Sequence, residues 1–150
     1  MSGKKVLIGL LSALLVLSGF ALAFGKTTVT FWHCVTWEPG KSSMQRVVDE
    51  FNKQNPDIEV KATIVPASDV TDISKFLTAV AGGVAPDVYY VDRFTVAQRA
   101  VAGVLEPLND LTDEAEIEKL KEMCLPFAWE EVSWDGKVWA LPHHTDARAL

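Results

Sequence analysis

The segment Ala79–Phe94, AVAGGVAPDVYYVDRF, constrains the fold most, because it combines a helix end, a forced break, a short strand and a polar tip. The Gly-Gly pair is typical of a helix end, where the chain turns through φ > 0. Pro86 prevents the helix from resuming and favours extended backbone before it. Val88–Val91 is too short for a helix and has the composition of an interior strand. Asp92 and Arg93 would therefore follow the carboxyl end of a strand, where open α/β sheets bind ligands.

Strand and helix patterns alternate along the rest of the chain. Strands are predicted at Thr28–His33, Ile58–Ile64 and Val88–Val91, and a hairpin with an Asp-Gly turn at 132–139. A helix opening at Ser42, with Gln45 as its capping-box partner, separates the first two strands. A second helix buries positions from Val70 to Val80, and Thr112 is expected to cap a later one. This alternation predicts an α/β fold with a doubly wound parallel sheet.

Met1–Ala23 is predicted to be a cleaved signal peptide, with a Lys-Lys start, an apolar core and an Ala-Leu-Ala cleavage site. The alternative is an uncleaved anchor, but the apolar run barely reaches the about 20 residues that a spanning helix needs. No lipoprotein cysteine follows it, so a periplasmic or extracellular location is expected. Removing two lysines changes the formal net charge from −6 to −8. An acidic chain with dispersed charges is a poor nucleic-acid binder.

Residues 24–150 would form one modest domain, and the chain stops in mid-pattern at Leu150. This ending predicts a fragment of a longer protein. Cys34 and Cys124 could pair in an oxidising compartment, although a cysteine on an interior strand also suits a free buried thiol. The sequence leaves the pairing open.

Polar and aromatic residues cluster at predicted strand ends and in the loops that follow. They are His33, Trp37, Glu38, Asp92, Arg93, His144 and Asp146. Carboxylates and guanidinium groups suit the adjacent donors and acceptors of sugar hydroxyls, and an indole suits the apolar face of a sugar ring. The plainer alternatives are a local ion pair at Asp92 and Arg93, a solvated Glu38 and a helix-capping Asp146. No spacing supports a metal site, a phosphate loop or a catalytic nucleophile, so no cofactor is expected.

Five stretches follow one another along the chain: TVTFWH, VVDEFNKQNPDIEV, FLTAVAGGVAPDVYYVDRF, GVLEPLNDL and PFAWEEVSWDGKVWALPHHTDARAL. In this order they resemble the extracellular solute-binding proteins of ABC importers, in the sugar-binding family that includes maltose-binding protein. The resemblance implies a periplasmic-binding-protein type II-like lobe, here the incomplete N-terminal one. It also implies that Asp92 and Arg93 match a sugar-contacting pair, that Asp146 matches an acidic ligand residue, and that the 33–38 loop matches a ligand loop.

The implied function is that of a monomeric receptor without enzymatic activity, which binds a mono- or oligosaccharide and delivers it to a membrane permease. One alternative is the same scaffold with a non-sugar solute. The other is an exported carbohydrate-active enzyme that uses two of Glu38, Asp92 and Asp146 as its paired carboxylates.

Overall fold

The computed structural model describes residues 25–144, which alternate between strands and helices. The predicted leader and Asp146 lie outside the described residues. The elements are β1 (Thr27–His33), α1 (Gly40–Gln54), β2 (Ile58–Ile64), α2 (Ala67–Thr71), α3 (Ile73–Ala81), β3 (Val88–Tyr89), α4 (Val96–Val101), α5 (Glu114–Glu122), α6 (Pro126–Glu131), β4 (Ser133–Trp134) and β5 (Lys137–Val138). Short 3-10 turns cover Arg93–Thr95 and Leu108–Asp110.

The first three strands form a parallel sheet in the order β2-β1-β3. Strand β1 pairs with β2 along its whole length, from Thr27 opposite Ile58 to His33 opposite Ile64. The connection from β1 to β2 runs one way along the sheet, and the connection from β2 past β1 to β3 runs the other way. Because parallel crossovers are right-handed, these two connections lie on opposite faces of the sheet. The predicted doubly wound α/β fold is confirmed.

Strand β3 is shorter than predicted and is held in place by an aspartate. Asp87 Oδ2 accepts hydrogen bonds from the Thr30 amide at 2.8 Å and from the Thr30 hydroxyl at 2.7 Å. These bonds hold the pKa of the Asp87 carboxyl below its ordinary value. The strand ends at Tyr89 instead of Val91, because Val91 packs against a separate apolar cluster and the chain leaves the sheet.

Two predicted helix starts are wrong, and one predicted helix is divided in two. Helix α1 begins before Ser42, whose amide donates to Glu38 Oε2 instead of forming a capping box with Gln45. The predicted second helix is split at Asp72, whose extended backbone and side-chain bond to the Ser74 amide start α3. Helix α5 is capped by the residue after Thr112, since Asp113 Oδ1 accepts from the Glu116 amide. In each case a carboxylate accepts the hydrogen bond from a backbone amide near the helix start, where the sequence suggested a hydroxyl or no capping side chain.

The second half of the described chain has its own core, built from α4, α5, α6 and the hairpin. Its buried side chains are Val96, Ile117, Trp129, Val132 and Val138. The hairpin turn is as predicted, with φ of 50° at Asp135 and 71° at Gly136, the left-handed pair that a type I′ turn requires. This cluster places α6 beside the chain that leaves β3.

Cys34 and Cys124 are both free and half-buried, so the structure contains no bond between them.

Candidate functional site

Asp92 and Arg93 are fixed by a tight turn directly after the sheet. The Asp92 carbonyl accepts hydrogen bonds from the Thr95 amide at 2.9 Å and the Thr95 hydroxyl at 2.6 Å. Thr95 is buried, so the turn is anchored in the protein interior. The predicted pair therefore lies on a rigid turn just beyond the carboxyl end of β3.

The Arg93 guanidinium lies between α6 and the segment that follows the hairpin. Its Nε forms an ion pair with Glu131 Oε2 at 2.9 Å. Its Nη1 donates to the His144 carbonyl at 3.1 Å. Its Cζ is 5.6 Å from the centre of the Phe127 ring, a cation–π distance. These contacts join three parts of the chain at one surface.

Tyr90 and two histidines extend this surface. The Tyr90 hydroxyl is 3.1 Å from His144 Nδ1, and the two rings are stacked with centres 6.0 Å apart. His143 Nδ1 is 3.2 Å from His144 Nδ1, so one ring must donate a proton that the other accepts. Burial, followed by the neighbouring His144, lowers the pKa of His143. The cluster offers both donors and acceptors beside an aromatic face.

The loop after β1 forms a second group. His33 is buried, its Nδ1 accepts from the Val35 amide at 3.2 Å, and burial lowers its pKa. His33 and Glu38 line a depression of about 380 Å³, together with Lys41, Ser42, Gln45, Arg46, Ala62 and Ile64. Trp37 is 55 % exposed, which leaves its indole accessible to a ligand.

Cys34 directly follows His33. Burial raises the pKa of its thiol, and the charge of Asp92 raises it further. The structure thus brings Arg93 and His144 into contact, with Asp92 next to Arg93 on the same turn, and it gathers His33 and Glu38 at the depression after β1.

Sequence reasoning missed Tyr90, Phe127 and Glu131 at this site. The sequence pattern places Tyr90 in an interior strand, but alternation along a strand puts Tyr89 and Tyr90 on opposite faces, and this signals that their surroundings differ. Tyr89 stacks on Phe76 of α3 at 4.3 Å, whereas Tyr90 contacts the histidines. Nothing in the local sequence around Glu131 indicated its contact with Arg93.

Among residues 25–144, no group of three or more side chains is arranged to hold a metal ion. Within the same range, no helix has the length and apolar character needed to cross a membrane.

A comparison with protein-family models identifies the family of this chain. Residues 36–143 match the family model described as bacterial extracellular solute-binding protein. The chain belongs to this family. The match includes Trp37, Glu38, Asp92 and Arg93, whereas His33 and His144 lie just outside it. The predicted resemblance and type II binding-protein lobe are confirmed.

Individual relatives agree with this assignment. The maltotriose-binding protein of Pyrococcus abyssi is 27% identical over 84% of this chain and 26% of its own length. The GacH receptor of Streptomyces glaucescens, solved unliganded and with acarbose, is 31% identical with a TM-score of 0.63, over 77% of this chain and 28% of its own.

The galacto-N-biose/lacto-N-biose I-binding protein of a Bifidobacterium longum ABC transporter, solved with lacto-N-biose, is 29% identical with a TM-score of 0.64. That match covers 78% of this chain and 28% of the other. The chain thus spans about a quarter of the length of these relatives.

Proposed function

We propose that this chain is part of an exported receptor that binds a mono- or oligosaccharide and delivers it to the permease of an ABC importer. The observation that carries the proposal is the placement of Asp92 and Arg93 on a rigid turn after β3, where Arg93 donates to the carbonyl of His144, the residue whose ring stacks on Tyr90. Such a site combines hydroxyl-binding groups with an aromatic surface. The relatives described above, named or solved with carbohydrates, support the same ligand class.

In this proposal Asp92, Arg93 and Glu38 bind sugar hydroxyls and Trp37 stacks on a sugar ring. His33, His144 and Asp146 complete the ligand surface. Met1–Ala23 directs export and is cleaved, and residues 24–150 belong to the amino-terminal lobe of a monomeric receptor. The ligand leaves unchanged, since the proposed role is binding followed by transfer to the permease.

The test is a titration of the full chain that the gene encodes, with maltotriose, acarbose and lacto-N-biose as probes, followed by tryptophan fluorescence and calorimetry. We expect saturable binding to at least one probe and a loss of at least tenfold in affinity for Asp92→Asn, because a carboxylate accepts two sugar hydroxyls where an amide accepts one. Asp57→Asn is the matched control, since Asp57 lies at the amino end of β2, at the opposite edge of the sheet.

Two results would contradict the proposal. A folded full chain that binds none of a broad carbohydrate panel would redirect the assignment to a non-sugar solute. Chromatography of the incubated oligosaccharide that reveals shortened products would favour the carbohydrate-active enzyme.

A further inference from the structure

Helix α6 supplies two of the contacts that hold Arg93. Glu131 forms the ion pair with Nε, and Phe127 lies one helical turn earlier under the guanidinium. The Arg93 side chain is 20% exposed and that of Glu131 is 42% exposed, so the pair lies at the surface of the site and is partly shielded from water. Both residues lie on the same face of a helix whose neighbouring Trp129 is part of the buried core.

These contacts fix the guanidinium in position. An ion pair at Nε and a ring against the face of the planar guanidinium restrain its rotation. The His144 carbonyl accepts a hydrogen bond from Arg93 Nη1, which restrains the orientation of the guanidinium further. A ligand that uses Arg93 therefore meets a group that is already oriented, which reduces the entropy lost on binding.

The ion pair also affects the net charge that a ligand meets at Arg93. Asp92 is adjacent in sequence, but Glu131 is the residue whose carboxylate forms an ion pair with Arg93 Nε. This negative charge offsets the positive charge of the guanidinium, which suits an uncharged ligand. Removing the Glu131 carboxylate would make the site more positive by one charge, which favours a ligand that carries a carboxylate or another anion.

We propose that Glu131 is a positioning residue that orients the Arg93 guanidinium and compensates its charge, so that the site prefers neutral to anionic carbohydrates. This inference rests on the proposed function, because it assumes that Arg93 contacts the ligand. Phe127 supports the orientation but contributes no charge.

The test compares the full chain with Glu131→Gln, Glu131→Asp and the adjacent control Glu130→Gln. Glu130 is exposed and forms no ion pair among the described residues. The probes are maltotriose as the neutral ligand and a trigalacturonate as the anionic one, measured by calorimetry at low and moderate salt. We expect Glu131→Gln to weaken maltotriose binding about tenfold and to raise the relative affinity for trigalacturonate, while Glu130→Gln changes neither.

A second readout does not depend on any carbohydrate. The Arg93 Nε–H signal in a nitrogen-15 spectrum, assigned with Arg93→Lys, should be protected from exchange in the parent and in Glu130→Gln and lost in Glu131→Gln. Glu131→Asp keeps the charge on a shorter side chain and should retain the preference for the neutral ligand.

The outcomes separate the two proposals. If the parent binds maltotriose and Glu131→Gln binds it equally well with an unchanged neutral-to-anionic ratio, the role of Glu131 is refuted and the receptor function stands. If the folded parent binds no carbohydrate at all, both proposals fail together. If Glu131→Gln unfolds, Glu131→Asp and the exchange measurement decide between positioning and a purely structural role.

Discussion

Arg99 is fully buried, yet within residues 25–144 its hydrogen bonds go to backbone carbonyls and not to a carboxylate. Its Nη2 donates to the Val70 carbonyl at 2.8 Å, and a second bond to the Thr95 carbonyl is long, at 3.4 Å. The guanidinium carbon lies 5.9 Å from the centre of the Tyr89 ring. Its buried Nε has no hydrogen-bond partner within the described residues. Arg99 therefore connects α4 to α2 and fills space, but its charge is poorly compensated.

This geometry predicts different costs for two substitutions. Arg99→Ala removes the side-chain volume and the bond to Val70, so we expect a loss of about 3 to 5 kcal/mol in the free energy of unfolding. Arg99→Met keeps most of the volume and loses one good hydrogen bond, which costs about 1 kcal/mol. Removing the buried charge of Arg99 stabilises the variant by about the same amount and so offsets that cost. The net change for Arg99→Met should therefore stay within about 1 kcal/mol of the parent.

The assay is urea unfolding of the full chain and both variants, monitored by far-ultraviolet circular dichroism. The slope of the unfolding free energy against urea concentration should be the same in all three proteins, as expected for a common transition. The expected order of stability is parent and Arg99→Met together, with Arg99→Ala well below. If Arg99→Met were as destabilising as Arg99→Ala, the charge and its bonds would be the stabilising contribution, and the reasoning from volume would be refuted.

Three further predictions concern the loop, the sheet and the histidine cluster. A Cβ on Gly40 would lie 2.8 Å from Trp37 Nε1, so Gly40→Ala should cost about 1 to 3 kcal/mol by overpacking and shift the tryptophan emission. Unchanged emission would mean that the indole does not rest there. Asp87→Ala should lower the unfolding temperature more than Thr30→Val, and acid should reduce that difference, because the lowered Asp87 pKa gives stability that is lost as pH falls through it. The pKa of His143 is lowered in the folded protein, so on acidification the unfolded chain binds a proton at this residue before the folded chain does. The free energy of unfolding should therefore be highest above the ordinary pKa of 6.5 and decrease as the pH falls below it. A His143→Gln variant with an equally steep loss of melting temperature would contradict this.

Much of the fold was predictable because its signals are local. Strand β1, strand β2 and the Asp-Gly turn each depend on a few consecutive residues, and the structure has them where expected. Helix starts were less predictable, since a hydroxyl and a nearby carboxylate compete for the same amide groups.

The site divides in the same way. The position of Asp92 and Arg93 followed from the strand that precedes them, because a strand end defines an edge of the sheet. Their surroundings did not follow, since Glu131 and His144 reach Arg93 only after α6 and the hairpin pack on a shared core. The contribution of Asp146 stays a prediction, because it lies outside the described residues.

The sequence by itself determined the order of strands and helices and the edge of the sheet that carries the polar residues. Hydrophobic periodicity and turn residues act over a few positions, so they can be recognised without knowing the fold. Only the tertiary structure decided that Glu131 forms an ion pair with Arg93, which tyrosine faces the histidines, and how deeply His33 is buried. These features depend on packing between segments that are distant along the chain, and no local pattern encodes such distances.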